Sequence, residues 1–186
     1  INGVAVTMGP GLVGSLLVGV SFAKAIAYAH RVPLVGVNHL EGHLLGALIE
    51  RDVEFPFLCL LASGGHTSLY LAQDWARYEM VGCTRDDAAG EAFDKAGKML
   101  GLGYPGGRIV DALAISGNPQ AYRFPRANVK TGKHDFSYSG LKTALRQHLK
   151  EIGEDELRKT LSDIAASYQE ALIDSLVKTT VRAAVD

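Results

Sequence analysis

The segment His39-Leu40-Glu41-Gly42-His43 places two imidazoles four residues apart. On a helix they stand about 40° apart around the axis, so both rings can reach one metal ion. The pattern departs from the zincin H-E-x-x-H in one respect. Glu41 follows the first histidine by two positions, about 200° round the helix, and turns away from any ion the histidines share. The pair therefore lacks the general base that a metal-dependent endopeptidase requires. With Asn38 as N-cap, Glu41 falls at the third helical position and can reach back to the Asn38 amide as a capping box. The same spacing also suits surface or core histidines, and a third metal ligand must come from elsewhere.

Four glycine-bearing or acidic motifs carry further chemistry. Gly9-Pro10-Gly11-Leu12-Val13-Gly14 follows a strand and precedes a helix, the context of a Rossmann-type dinucleotide fingerprint. The acidic residue that would hold a ribose at the end of the second strand is missing, because that strand ends in Asn38-His39. A tight turn with close helix packing explains the same glycines. Ser63-Gly64-Gly65-His66-Thr67 lies between two strands and either offers backbone N–H groups to an anion or makes an ordinary hairpin turn. Asp87, Glu91 and Asp94 share one helix face, where Glu91/Lys95 and Asp94/Lys98 could form salt bridges. Gly103-Tyr104-Pro105-Gly106-Gly107 leads into a helix carrying Asp111, and glycines at a helix start permit close approach of a ribose or ligand backbone.

The order of these motifs, with Ser15-Leu16-Leu17-Val18-Gly19, Asp86-Asp87-Ala88-Ala89-Gly90-Glu91-Ala92-Phe93-Asp94-Lys95 and Phe136-Ser137-Tyr138-Ser139-Gly140-Leu141-Lys142-Thr143, closely resembles the TsaD/Gcp (YgjD) family in its bacterial form. That family was once described as O-sialoglycoprotein endopeptidases. The resemblance implies a tRNA N6-adenosine threonylcarbamoyltransferase with the ASKHA (actin-like ATPase, ribonuclease-H-like) α/β fold. It implies Fe(2+) or Zn(2+) on His39 and His43, and an adenine nucleotide (threonylcarbamoyl-AMP, ATP) on Ala62, Ser63, Gly64, Gly65, His66, Asp94, Gly107 and Asp111. It further implies tRNA and the subunits TsaB and TsaE as partners. By the family pattern a first hairpin with its phosphate loop would precede Ile1, and a carboxylate metal ligand would follow Asp186. The chain is accordingly expected to be an internal fragment, truncated at both ends, with an incomplete site and a tendency to self-associate or expose an apolar patch.

Positioning these groups calls for two halves. Residues 1–52 read as strand (4–7), helix (13–30), strand (34–37) and helix (39–50), the βαβ alternation of a first ribonuclease-H-like lobe. Residues 53–186 read as a second lobe. Its strands run over 57–62, 67–72 and 78–83, followed by a helix over 86–100, a Gly/Pro loop, a short helix, a loop over 117–137 and two terminal helices. The last helix carries the apolar stripe Leu157, Leu161, Ile164, Tyr168, Leu172, Leu176 and Ala183.

Among 186 residues, 19 Lys+Arg nearly balance 20 Asp+Glu, which excludes a uniformly basic nucleic-acid binder and, with 47% hydrophobic residues, a disordered chain. The charge is uneven: residues 112–150 hold seven basic residues and one acidic. Arg123, Arg126, Lys130 and Lys133 lie there, interleaved with Tyr122, Phe124, Phe136 and Tyr138. That mixture suits phosphate contacts with base stacking, as a candidate tRNA surface, or a solvated face. No apolar run reaches the roughly 18 residues needed to span a bilayer and no signal peptide is recognisable, so the reading is a soluble, cytoplasmic protein without a membrane partner. Cys59 and Cys83 form no CxxC and fit a reducing compartment. A purely non-catalytic interaction subunit is disfavoured by the paired histidines and glycine loops.

Overall fold

Strand-forming Val4-Ala5-Val6 and Leu34-Val35 flank a long apolar helix, and the chain builds from them a parallel β–α–β start. The computed structural model describes residues 1–75, 77–126, 129 and 132–186. The chain divides into two compact units, Ile1–Phe55 and Pro56–Asp186.

In the first unit, β1 (Val4–Gly9) pairs in parallel with β2 (Leu34–Asn38), Val4 opposite Leu34 and Thr7 opposite Val37. Between them α1 (Val13–His30) lies against β1, with Gly19 facing Val6. It ends where Arg31 takes the left-handed conformation (φ 51°) and the Val32 N–H returns to the Ala27 carbonyl, a Schellman closure. Then α2 (His39–Glu50) begins directly at the end of β2. Within this unit α1 buries Ala23 and Ala27, while Leu12, Val13, Leu17, Val18, Phe22 and Tyr28 stay exposed. At 18 residues and a mean hydropathy of 1.3, α1 is also long and apolar enough by length and composition to cross a membrane. This corrects the expectation that no segment reaches that size. Ser15, Ser21 and Lys24 break the apolar run without bringing its average below that of a spanning helix. The same values describe the central helix of many soluble α/β units.

The second unit opens with an antiparallel meander of β3 (Phe57–Ala62), β4 (Thr67–Asp74) and β5 (Arg77–Cys83). Helices α3 (Ala89–Met99), α4 (Gly107–Ala114), α5 (Ser139–Glu151) and α6 (Glu154–Val185) complete it. The α6 stripe forms as expected. Ile164, Tyr168 and Leu172 are fully buried, and Leu157, Leu161, Leu176 and Ala183 pack at the margin of the same core. Leu69, Ala92, Ala96, Val110, Phe124, Phe136, Tyr138 and Leu145 meet them there. Helices α3 and α4 touch backbone to backbone. A Cβ on Gly97 would sit 2.5 Å from the Gly106 Cα, closer than any real side chain tolerates.

The helix read as starting at Asp86 begins instead at Ala89, because Asp86 and Asp87 are committed elsewhere. The Asp86 carboxylate accepts from the Asp87 and Tyr138 amides (2.9 and 2.7 Å) and from the Ser137 hydroxyl. Asp87 takes Lys95 Nζ at 2.5 Å on one oxygen and Lys142 Nζ at 2.7 Å on the other, joining the approach to α3, α3 itself and α5. Burial pushes the Asp87 carboxyl up, but hydrogen bonds and charge from Lys142 and Lys95 outweigh it and hold the group below the usual carboxylate range. A carboxyl whose folded pKa is lowered contributes stability above its unfolded value of about 3.9, and that stability is lost as pH falls through the folded value. Asp87→Asn should therefore cost about 1–3 kcal/mol at pH 7. In urea unfolding curves the deficit should shrink progressively below about pH 4.

Candidate functional site

In the first unit Asn38 closes β2 and caps α2 at once. Its side-chain oxygen accepts from the Leu40 and Glu41 amides at 2.9 and 3.3 Å. The predicted capping box forms only by half. Among the described residues no hydrogen bond runs from the Asn38 amide to the Glu41 carboxylate, since the Asn38 backbone also stands in the strand ladder opposite Gly9. The cap starts α2 so that His39 and His43, both exposed, bring their Nε2 atoms to 3.2 Å with the rings at 73°. Two nitrogens each about 2.0–2.1 Å from one ion, at tetrahedral or octahedral angles, stand about 2.9–3.4 Å apart. Donor chemistry and spacing thus fit a divalent transition metal. The pair borders a cleft of about 240 Å³ with Thr7, Val37, Asn38 and Gly42, and Glu41 is not among its walls. Among the described residues no third His, Cys, Asp or Glu joins the pair.

The glycine motif after β1 does not have the packing of a dinucleotide fingerprint. Gly9 makes the turn, but a Cβ on Gly14 would meet nothing within 4 Å, so no close helix approach requires a glycine there.

The second unit holds a cavity of about 460 Å³. The hairpin tip contributes Gly64, α3 contributes Asp94, α4 contributes Gly107 and Asp111, and α6 contributes Gln169. Gly64, Asp94, Gly107 and Asp111, distant in sequence, are thus brought together as expected. Ala62, Ser63, Gly65 and His66 are not on these walls. Ala62 is paired with Thr67 in the hairpin. The Ser63 hydroxyl accepts from the His66 and Gly65 amides at 3.0 and 3.4 Å, so those N–H groups are turned into the loop rather than offered to an anion. The hairpin reading of this segment describes its hydrogen bonding.

Asp94 does not pair with Lys98. Its Oδ1 accepts the Gly107 amide at 2.9 Å and so caps α4 at a helix start lacking a capping side chain of its own. The Glu91–Lys95 pair does form, at 2.8 Å. Two residues of the quoted motifs, Gly90 and Thr67, take contacts that the sequence did not assign to them, and Gln169 carried no sequence signal. Gly90 donates its amide to the Ser63 carbonyl at 3.1 Å, and Thr67 Oγ1 accepts the Ala89 amide at 2.7 Å. Gln169 Nε2 donates to Asp111 Oδ1 at 3.0 Å.

The basic stretch is rearranged more thoroughly. Phe124, Phe136 and Tyr138 are core residues and Tyr122 is half-buried against His148, so these aromatics are not free to stack on bases. The described parts of this loop dock on the core with these rings turned inward and Arg123 turned out. Arg126 is bound to Asp174 at 3.0 Å and to the Phe124 carbonyl, and Lys133 to Asp186 at 3.3 Å. Arg123 is exposed, and Lys130 lies outside the described residues.

The chain matches the family model "TsaD: tRNA N6-adenosine threonylcarbamoyltransferase" over residues 1–186. It is 56% identical over 188 residues to the tRNA N6-adenosine threonylcarbamoyltransferase of Syntrophotalea carbinolica, covering 99% of this chain and 54% of that protein. The proteins of that name from Anaeromyxobacter dehalogenans and Syntrophus aciditrophicus are 59% and 52% identical, covering 99% of this chain and 55% and 54% of their own lengths. The chain therefore spans about half the length of the curated relatives it matches.

The cap and the imidazole pair generate one expectation together. Asn38→Ala should lower stability by about 1 kcal/mol and weaken Co(2+) binding by fraying the turn that holds His39. His39→Ala and His43→Ala should each lose the Co(2+) absorption bands. Glu41→Gln should leave the titration unchanged.

Proposed function

The chain belongs to the TsaD family, whose α/β ASKHA fold it shares, and from that premise we propose that it takes part in threonylcarbamoyl transfer to the N6 amine of the adenosine beside the anticodon in tRNAs reading ANN codons. In that proposal the units Ile1–Phe55 and Pro56–Asp186 derive from the two ribonuclease-H-like lobes. The reaction is cytoplasmic, and TsaB and TsaE are the partner subunits.

The observation that carries the reading is the convergence of Gly64, Asp94, Gly107 and Asp111 on one cavity, with exposed polar groups at its rim and Phe93 and Ile173 supplying apolar wall. A site of that size and mixture suits a nucleoside held by a few polar contacts against apolar surface. The proposed ligand is the adenylate of the threonylcarbamoyl donor. In the transfer, the N6 nitrogen forms a bond to the carbamoyl carbonyl carbon. The anhydride bond to phosphate breaks, AMP leaves with the electron pair, and the N6 proton passes to solvent or base. Asp111, exposed at the cavity, is placed to accept hydrogen bonds from ribose hydroxyls. Asp94 keeps α4 and its Gly107 backbone in place beside the ligand. His39 and His43 would hold Fe(2+) or Zn(2+), and a bound ion would supply Lewis acidity.

For the tRNA, Arg123 supports a phosphate contact, while Arg126 and Lys133 spend their charge on Asp174 and Asp186. Arg123→Glu should weaken tRNA binding with a salt slope shallower by about one phosphate contact. Arg126→Glu should mainly destabilise the chain by repelling Asp174. An unchanged slope in Arg123→Glu removes this residue from the interface. The function itself is tested by supplying threonylcarbamoyl-adenylate, substrate tRNA and the partner subunits, and weighing the nucleoside product. Wild type should form the modified adenosine, and Asp111→Asn and His39→Ala should reduce its yield at least tenfold. Equal yields from all three proteins would overturn the proposal.

A further inference from the structure

Gln169 sits on α6 in the wall of the 460 Å³ cavity and also borders a second, smaller cavity of about 170 Å³. Together with Ile173 it lines both spaces. The orientation of its amide is decided by chemistry. An ionised carboxylate only accepts hydrogen bonds, so the group facing Asp111 Oδ1 at 3.0 Å must be the NH2 end. That choice directs Oε1 into the protein, where it is buried and has no hydrogen-bond partner among the described residues. A buried acceptor without a donor is destabilising, and an unbranched apolar side chain of similar length would avoid the cost. Asp111, in contrast, is exposed and would be solvated with or without the amide. Among the described residues Gln169 is the only hydrogen-bond partner of its carboxylate. The arrangement therefore sacrifices stability at Gln169 and gains nothing for the core.

We infer that Gln169 is a positioning residue: its amide fixes the Asp111 carboxylate in one orientation at the cavity and leaves the second oxygen free to receive a ligand donor. This inference rests on the nucleotide reading of the cavity. A pinned carboxylate has already lost the rotamer freedom that binding would otherwise have to remove, so the contribution appears in ligand affinity and not in folding.

The test uses the whole chain and AMP as probe, with Gln169→Met and Asp111→Asn as variants. Gln169→Met should melt at the wild-type temperature or higher and bind AMP at least tenfold more weakly by calorimetry, approaching Asp111→Asn. In its crystal structure Asp111 should lose its single orientation. A marked fall in melting temperature would make Gln169 an ordinary structural residue and overturn the inference. So would wild-type AMP affinity in Gln169→Met when Asp111→Asn has lost binding. A wild-type chain that binds no AMP, or an Asp111→Asn variant that binds it normally, would overturn the nucleotide reading instead. The Asp111 orientation in the Gln169→Met crystals then still decides the positioning claim, because an unchanged carboxylate refutes it.

Discussion

The tip of the β3–β4 hairpin and the first turn of α3 occupy the same few ångströms, and the second unit is arranged around that contact. A Cβ on Gly90 would stand 2.7 Å from the Ser63 carbonyl oxygen and 2.8 Å from the Gly64 backbone. No methyl group fits, and nothing in the neighbourhood is a flexible chain end that could yield. The closeness lets the Gly90 amide reach the Ser63 carbonyl and the Ala89 amide reach the Thr67 hydroxyl. Two N–H groups that a helix start leaves without partners are thereby satisfied by the hairpin. Without this junction α3 would have no fixed origin, and Asp94, one turn further along, would have no fixed place from which to cap α4.

Charge then locks what the backbone has brought together. Asp87 lies just before α3 and is mostly buried, a position untenable for a lone carboxylate. Lys95 and Lys142 make it favourable, and because they come from α3 and α5 the pairing also decides how the two helices meet. Asp86 does the same to the strand of chain entering α5. Burial alone would raise its pKa, yet the hydroxyl and amide donors of Ser137, Tyr138, Ser139 and Asp87 keep it below the ordinary range. Both aspartates are thus more acidic in the folded chain than in the unfolded one, so this corner weakens on acidification.

What could be read from the residues divides along the same physical line. Elements whose signals are local were legible to within a residue or two: α1, α2 and β3 from periodicity and flanking breaks, and the α2 cap from Asn38. Where one residue serves two elements, the reading failed. Asn38 was read as the partner of Glu41, but its backbone is already held by β2. Asp94 faced Lys98 on paper, yet the α4 amide is the stronger claim on its oxygen. Thr67 carries no local sign that it will cap a helix that begins beyond one further strand. Gln169 is one of several polar residues beside an apolar stripe, and its role arises only when α4 is laid against α6.

The basic stretch shows why composition misled where periodicity did not. Aromatic and basic residues alternating along a loop look the same whether the aromatics face a base or the protein, because a loop has no fixed period to separate its two faces. Folding separates them by cost: leaving Phe124, Phe136 and Tyr138 in water would forfeit on the order of 2 kcal/mol each in every folded molecule, whereas stacking returns a comparable amount only while a nucleic acid is bound. Once those rings are inside, Arg126 and Lys133 are held beside α6 and its end, where Asp174 neutralises Arg126 while Lys178 competes for the same carboxylate, and Asp186 takes Lys133. Net positive charge counted along the chain is therefore larger than the charge the folded surface has left to offer a phosphate.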